Sequence, residues 1–282
     1  MHRHRTCITF SAGGIRGVAY VGALCELVDR GDIELAQFTR LHGTSVGALM
    51  ACLVAIGLSA DELLHEVQHF SVDKFTSMNF SSLMYAWGLD DGSRLREYIA
   101  QKLREKTGNA ELTLGQLWHD RGKDLCTCAV NLTLNSVAYF SGRDTPAVRV
   151  VDAVAMSMAV PLVFAPVPYE GHMFIDGAFM DSFPTRGCPP ASTLCLRLDW
   201  SVASNLKSLE QYFSRVAFCA LHFAENGAER AQHESNTVEI DVGDVSTINY
   251  CLPHYMGSHM VAVGRRAAAT WSLSTRTRYD DR

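Results

Sequence analysis

Apolar residues along this chain follow two alternating rhythms. The short run Cys7-Ile8-Thr9-Phe10 and the stretches Leu125 to Thr133, Ser136 to Ser141, Thr193 to Asp199 and Thr237 to Val242 predict strands. Between them, apolar positions recur every three or four residues. Val21, Leu24 and Leu27 share one face of a helix over Val18 to Leu27, and Leu95, Ile99 and Leu103 do the same over Ser93 to Lys106. Ser59-Ala60-Asp61-Glu62 is a capping box opening a helix whose apolar face carries Leu63, Leu64 and Val67. Thr113-Leu114-Gly115-Gln116 caps a shorter one. Val46 to Leu58 is apolar nearly all round and predicts a buried helix. Val150 to Ala159 predicts a helix that stops before Pro161, and Leu206 to His233 and Tyr255 to Trp271 are further helical stretches. Helices between strands imply a mostly parallel sheet covered on both faces, an α/β fold with three layers, α/β/α. No repeat or low-complexity linker interrupts the pattern, so residues 1–282 are expected to form a single domain, with a polar, frayed end from Ser274.

Composition narrows the class. The chain has 282 residues, 48% of them apolar, and a net charge of −5. That is enough to bury a sizeable core, and the mild acidity argues against nucleic acid as a partner. Nine cysteines lie mostly among apolar residues (Cys25, Cys52, Cys195, Cys219), which reads as reduced thiols in a cytoplasmic protein. Cys126 and Cys128 point to one face of their strand, but no further ligands follow at metal-site spacing, and no metal or cofactor is expected. No apolar run is long enough to span a membrane.

Two glycine-rich stretches carry candidate chemistry. Gly43-Thr44-Ser45-Val46-Gly47 fits G-x-S-x-G, a nucleophile elbow that exposes a serine hydroxyl on a sharp strand-to-helix turn. Ser11-Ala12-Gly13-Gly14-Ile15-Arg16-Gly17 lies between the first strand and first helix, where free backbone N–H groups form an anion site. It lacks the glycine spacing of a dinucleotide site and the lysine of a P-loop, so an oxyanion is the better guest. Asp176, after the apolar run Met173 to Ile175 and before Gly177, is either a turn aspartate or a base at a strand end.

Together these blocks resemble the patatin-like phospholipases, and two later stretches agree. Ser157-Met158-Ala159-Val160-Pro161-Leu162-Val163-Phe164-Ala165-Pro166 is similar to the family's Ser-x-Ala-x-Pro-x-x-Phe-x-Pro block, and Asp176-Gly177-Ala178 to its Asp-Gly-Gly or Asp-Gly-Ala block. The resemblance covers most of the chain: these blocks fall within 7–182, and 193–273 complete the domain. It implies a lipid acyl hydrolase of phospholipase A type, cleaving the ester bonds of membrane glycerophospholipids. Ser45 would be the nucleophile and Asp176 its base in a dyad, with Gly13, Gly14, Ile15, Arg16 and Gly17 forming or steadying the oxyanion hole. Arg16 would meet a lipid phosphate or lock the loop. Asp181-Ser182-Phe183-Pro184 departs from the pattern, which often has asparagine before Phe-Pro.

Two other readings are weighed against this one. A Ser–His–Asp esterase or thioesterase, or a neutral-lipid hydrolase, is one alternative, the triad recruiting His222, His233, His254 or His259; a non-catalytic lipid-binding module would have lost the chemistry. The partner expected is lipid at a membrane surface, reached peripherally, with a protein activator left open. Two stretches are candidates for that contact. One is the C-terminal segment with Arg265, Arg266 and Trp271. The other is Asp73 to Gly92, rich in aromatic residues and methionine (Phe75, Met78, Phe80, Met84, Tyr85, Trp87), for which a packed connection between helices is the slightly favoured expectation and a lipid-facing rim or lid the alternative.

Overall fold

The computed structural model describes residues 5–69, 79–199, 231–243 and 254–280. Its centre is an eight-stranded sheet. The strands are β1 (Cys7–Phe10), β2 (Arg40–Thr44), β4 (Asp124–Asn131), β5 (Ser136–Ser141), β7 (Val167–Tyr169), β8 (His172–Asp176), β9 (Thr193–Leu198) and β10 (Thr237–Ile240). A separate pair joins β3 (Gly88–Asp90) to β6 (Leu162–Phe164). The order is β10-β9-β1-β2-β4-β8-β7, with β5 beside β4. From β10 to β4 every pairing is parallel, and β5, β7 and β8 join antiparallel. Helices flank the sheet, so the class is the α/β, three-layer arrangement expected. They are α1 (Val18–Asp29), α2 (Val46–Ala55), α3 (Ala60–Gln68), α4 (Ser82–Ala86), α5 (Ser93–Thr107), α6 (Leu114–Arg121), α7 (Val150–Ser157) and α8 (His254–Asp280).

The predicted caps form. The Ser59 and Thr113 hydroxyls each accept from the backbone N–H three residues on, and their own backbone N–H groups donate to the side chains of Glu62 and Gln116. Helix α8 is longer than expected: it runs through the polar end to Asp280. It packs along α1 at Gly22 and Gly264, where an added Cβ would fall 2.0 Å from the Val261 carbonyl oxygen and 1.9 Å from that of Ala19. The predicted helix over Leu206 to His233 lies outside the described residues up to position 230.

Strand register sorts the side chains into two unlike faces. Ile8, Phe10, Leu41, Leu125, Leu194, Leu196 and Leu198 point one way and form a core with α1, α2 and α7. Cys7, Thr9, Arg40, His42, Thr44, Cys126, Cys128, Thr193, Cys195 and Arg197 point the other way. This polar face is crossed by residues 177–192, a strap running from the end of β8 to the start of β9. Thr9 Oγ1 donates to the Pro184 carbonyl (2.8 Å), Arg40 Nη1 to that of Gly187 (3.1 Å) and Thr44 Oγ1 to that of Asp181 (2.9 Å). Backbone carbonyls of the strap thereby find donors inside the protein, as buried backbone must.

Candidate active site

Ser45 is held in the left-handed region, at φ 59° and ψ −128°, between β2 and α2. A non-glycine residue there is strained, and such strain collects at functional sites. The flanking glycines are required by close approach. A Cβ on Gly43 would fall 2.1 Å from the Gly47 carbonyl oxygen, and one on Gly47 would fall 2.5 Å from that of Phe10. The Ser45 backbone N–H donates to Ser157 Oγ (3.0 Å) at the end of α7. Sequence reasoning gave Ser157 no role, although it opens the Ser-x-Ala-x-Pro block.

Asp176 arrives from the opposite direction. Strand β2 pairs with the first half of β4, ending at Thr44 opposite Cys128, and β8 pairs with the second half, ending at Asp176 opposite Ala129. Strand β5 occupies the other edge of β4 at both positions. Two strands therefore end against each other on one edge, and Ser45 and Asp176 meet at the junction. Gly177 allows the chain to leave, since a Cβ there would lie 2.2 Å from the Cys128 carbonyl oxygen.

The carboxylate of Asp176 is 1% exposed. Oδ1 accepts from the Ala178 N–H at 2.8 Å, whereas Oδ2 is buried without a hydrogen-bond partner. Burial pushes its pKa up to about 7, opposed by the Ser45 side chain and the Ala178 N–H. Ser45 thus lies near enough to favour the charged carboxylate while falling short of a full hydrogen bond. Catalytic contacts often tighten only when substrate is bound.

The glycine loop borders the same cavity as Ser45. Gly14 has φ 57° and opens a 3₁₀ turn over Gly14–Gly17. The N–H groups at the start of such a turn have no carbonyl within it to bind. Gly17 lets the turn approach α2, because a Cβ there would lie 2.4 Å from Val46 Cγ2. The Ala12 N–H donates to the Ser182 carbonyl (2.7 Å), so the strap that follows Asp176 also anchors this loop. Arg16 is 2% exposed, with Nε donating to the Gly13 carbonyl (3.4 Å) and Nη1 to that of Asp199 (3.1 Å). Burial lowers its pKa to about 10. These carbonyl contacts tie the guanidinium to the loop and to the chain after β9.

The cavity has a volume of about 340 Å³ and runs from Ser45 between α2, α3 and α5. Its walls include Val46, Met50, Leu53, Leu63 and Met158, and Lys102 and Glu66, paired at 2.8 Å, stand at its polar margin. The arrangement offers a strained serine, a buried carboxyl with a free oxygen, an N–H loop and an apolar compartment.

Of the four late histidines, the side chains of His233 and His259 are described. His233 precedes β10, three strands away from β2, roughly 14 Å at the usual strand spacing. His259 lies on α8 and His222 outside the described residues. Arg265 of the proposed C-terminal contact pairs with Glu26 (3.2 Å) and Asp29 (2.7 Å), and Arg5 covers the Trp271 ring at 4.8 Å. Those two side chains are therefore occupied within the chain. The expectation of a packed connection is corrected for the described part of Asp73 to Gly92. Phe80, Met84, Tyr85 and Trp87 are 82%, 84%, 70% and 63% exposed. Phe75 and Met78 lie outside the described residues. Among the described residues no helix is long and apolar enough to cross a membrane.

Comparison with known proteins agrees with this architecture. A family model described as patatin-like phospholipase matches residues 8–188. An uncharacterized protein of Acanthamoeba polyphaga mimivirus is 30% identical over 180 residues, 63% of this chain and 59% of its own length. A probable lipid hydrolase of Invertebrate iridescent virus 6 is 24% identical over 182 residues, 63% of this chain and 61% of its own. The chain thus spans less than two thirds of either relative. The crystal structure of VipD from Legionella pneumophila superposes with a TM-score of 0.71 at 17% identity, covering 96% of this chain and 67% of that one, and shares the fold.

Proposed function

Because this chain belongs to the patatin-like phospholipase family, we propose that it is a lipid acyl hydrolase working through a Ser45–Asp176 dyad on the esters of membrane glycerophospholipids. The observation that carries the reading is the unpartnered, buried Oδ2 of Asp176 beside the strained Ser45. Serine is a weak nucleophile until a neighbouring base takes its proton. Asp176 accepts that proton as Ser45 Oγ attacks the ester carbonyl. The tetrahedral oxyanion is met by N–H groups of the loop at Gly13, Gly14 and Ile15; losing one such donor typically costs on the order of 10²–10³ in turnover. Asp176 then returns the proton to the departing alcohol. A water deprotonated by the same carboxylate attacks the acyl-serine, releases the fatty acid and restores Ser45. Arg16 steadies the loop from behind. The apolar cavity beside Ser45 receives an acyl chain, and the exposed aromatic rim at Phe80, Met84, Tyr85 and Trp87 brings the site to the lipid surface.

The test is fatty-acid release from mixed phospholipid vesicles, run beside labelling by a serine-reactive fluorophosphonate. Wild type should release fatty acid and be labelled at Ser45. Ser45→Ala should do neither, and Asp176→Asn should lose turnover while remaining folded. Release that persists in Ser45→Ala would sink the proposal.

A further inference from the structure

The polar face of the sheet holds a cluster that the proposed chemistry does not use. Cys7 on β1, His42 on β2 and Cys188 on the strap are all buried, and their ligating atoms lie within 4.8 Å of one another. Cys7 Sγ and Cys188 Sγ are 3.3 Å apart. No sequence spacing announces the group, because its members are 35 and 146 positions apart; the sheet register and the strap bring them together.

We propose that Cys7, His42 and Cys188 form a binding site for a thiophilic metal cation, of the Zn²⁺ class, that fastens the strap to the sheet. Two thiolates and an imidazole suit such a cation, and structural sites of this kind are tetrahedral. Cys126 pairs with His42 across β2 and β4 and points to the same face but lies outside this cluster, so a solvent water completes the tetrahedron. Ligands at the usual ~2.3 Å from zinc place two sulfurs roughly 3.8 Å apart. The present separation reaches that value by a small outward rotation of Cys188.

A metal takes its cysteine ligands as thiolates and its histidine as the neutral ring. On binding, both thiols lose their protons to solvent, and two thiolates balance the double charge of the cation. The consequence is mechanical. The strap follows directly on Asp176, supports Thr44 and Ala12 along its length, and would be held at its far end.

The site does not depend on the proposed acyl-hydrolase activity, and its test reads metal directly. Full-length protein, stripped with chelator and kept reduced, is titrated anaerobically with Co²⁺. Wild type should develop thiolate-to-cobalt absorption and the strong visible bands of a tetrahedral site, saturating at one equivalent and bleached by Zn²⁺. Cys188→Ser and His42→Ala should each weaken binding by at least about tenfold. Cys52→Ala, a buried thiol on α2, should bind as wild type does. Zn²⁺ should raise the melting temperature of wild type and not that of Cys188→Ser. Fully reduced wild type that shows no thiolate-to-cobalt band would overturn the proposal, whether or not air then joins Cys7 to Cys188 as a disulfide. Wild-type binding that survives unchanged in Cys188→Ser would overturn it as well.

Discussion

Thr44 and Asp176 occupy adjacent rungs on one edge of β4, paired with Cys128 and Ala129. One ends a strand parallel to β4 and the other a strand antiparallel to it, so the two chains meet head-on. A serine one residue beyond the first and a carboxylate at the tip of the second are thereby held by two backbone ladders rather than by flexible loops. This geometry makes specific demands on activity, stability and surface binding.

Activity should follow the ionisation of Asp176. Only the carboxylate accepts the serine proton, and burial lifts its pKa to about 7. Turnover of a soluble ester at low substrate concentration should rise about tenfold per pH unit on the acid side and level off above roughly pH 7. A profile already flat from pH 5 upward would show that the base titrates elsewhere.

The same shift affects stability. Asp176 is protonated more readily in the folded chain than in the unfolded one, where its ordinary value is 3.8. Folding is therefore favoured below pH 4, and that advantage disappears as pH rises from about 4 to about 7. Asp176→Asn cannot ionise and should gain on wild type across this window, by up to roughly 4 kcal/mol at 1.36 kcal/mol per pKa unit. Urea unfolding of both proteins at pH 4, 6 and 8 would measure it; a difference independent of pH would refute the assignment.

Ser157 holds the elbow through the Ser45 N–H. Ser157→Ala leaves that buried donor without its partner, a loss worth about 1–3 kcal/mol. Turnover should fall by about ten- to a hundredfold with KM little changed, since the serine is displaced while the acyl cavity is intact. A change confined to KM would place Ser157 in substrate binding instead.

The exposed rim should matter only for aggregated lipid. Fully burying one large apolar side chain is worth about 1.5–3 kcal/mol. Replacing Phe80 and Trp87 with serine should therefore weaken vesicle sedimentation by at least tenfold. Hydrolysis of a soluble short-chain ester should be unaffected. Equal losses on both substrates would mean that the rim supports the site's structure.

By itself, the sequence determined the local elements and the chemical inventory. Periodicity placed strands such as β1, β5 and β9 and helices such as α1 and α5 to within a few residues, though not the short β3, β6 and β7 or the far end of α8; Ser59 and Thr113 announced their capping boxes, and Gly43, Ser45 and Gly47 marked an elbow, because these features depend on neighbours along the chain. The tertiary structure decided what depends on neighbours across it. Asp176 is a turn aspartate by its local sequence; it reaches Ser45 only because β8 completes the edge of β4 that β2 leaves open. Arg16 is buried against the Asp199 carbonyl because the chain leaving strand β9 brings that carbonyl to it. Trp271 and Trp87 look alike as exposed aromatic candidates, yet the first packs under Arg5 and the second stays open. Cys7, His42 and Cys188 have no sequence signature at all. In each case the deciding contact is non-local, and side-chain type and spacing carry no record of which strand edge or sheet face a residue will meet.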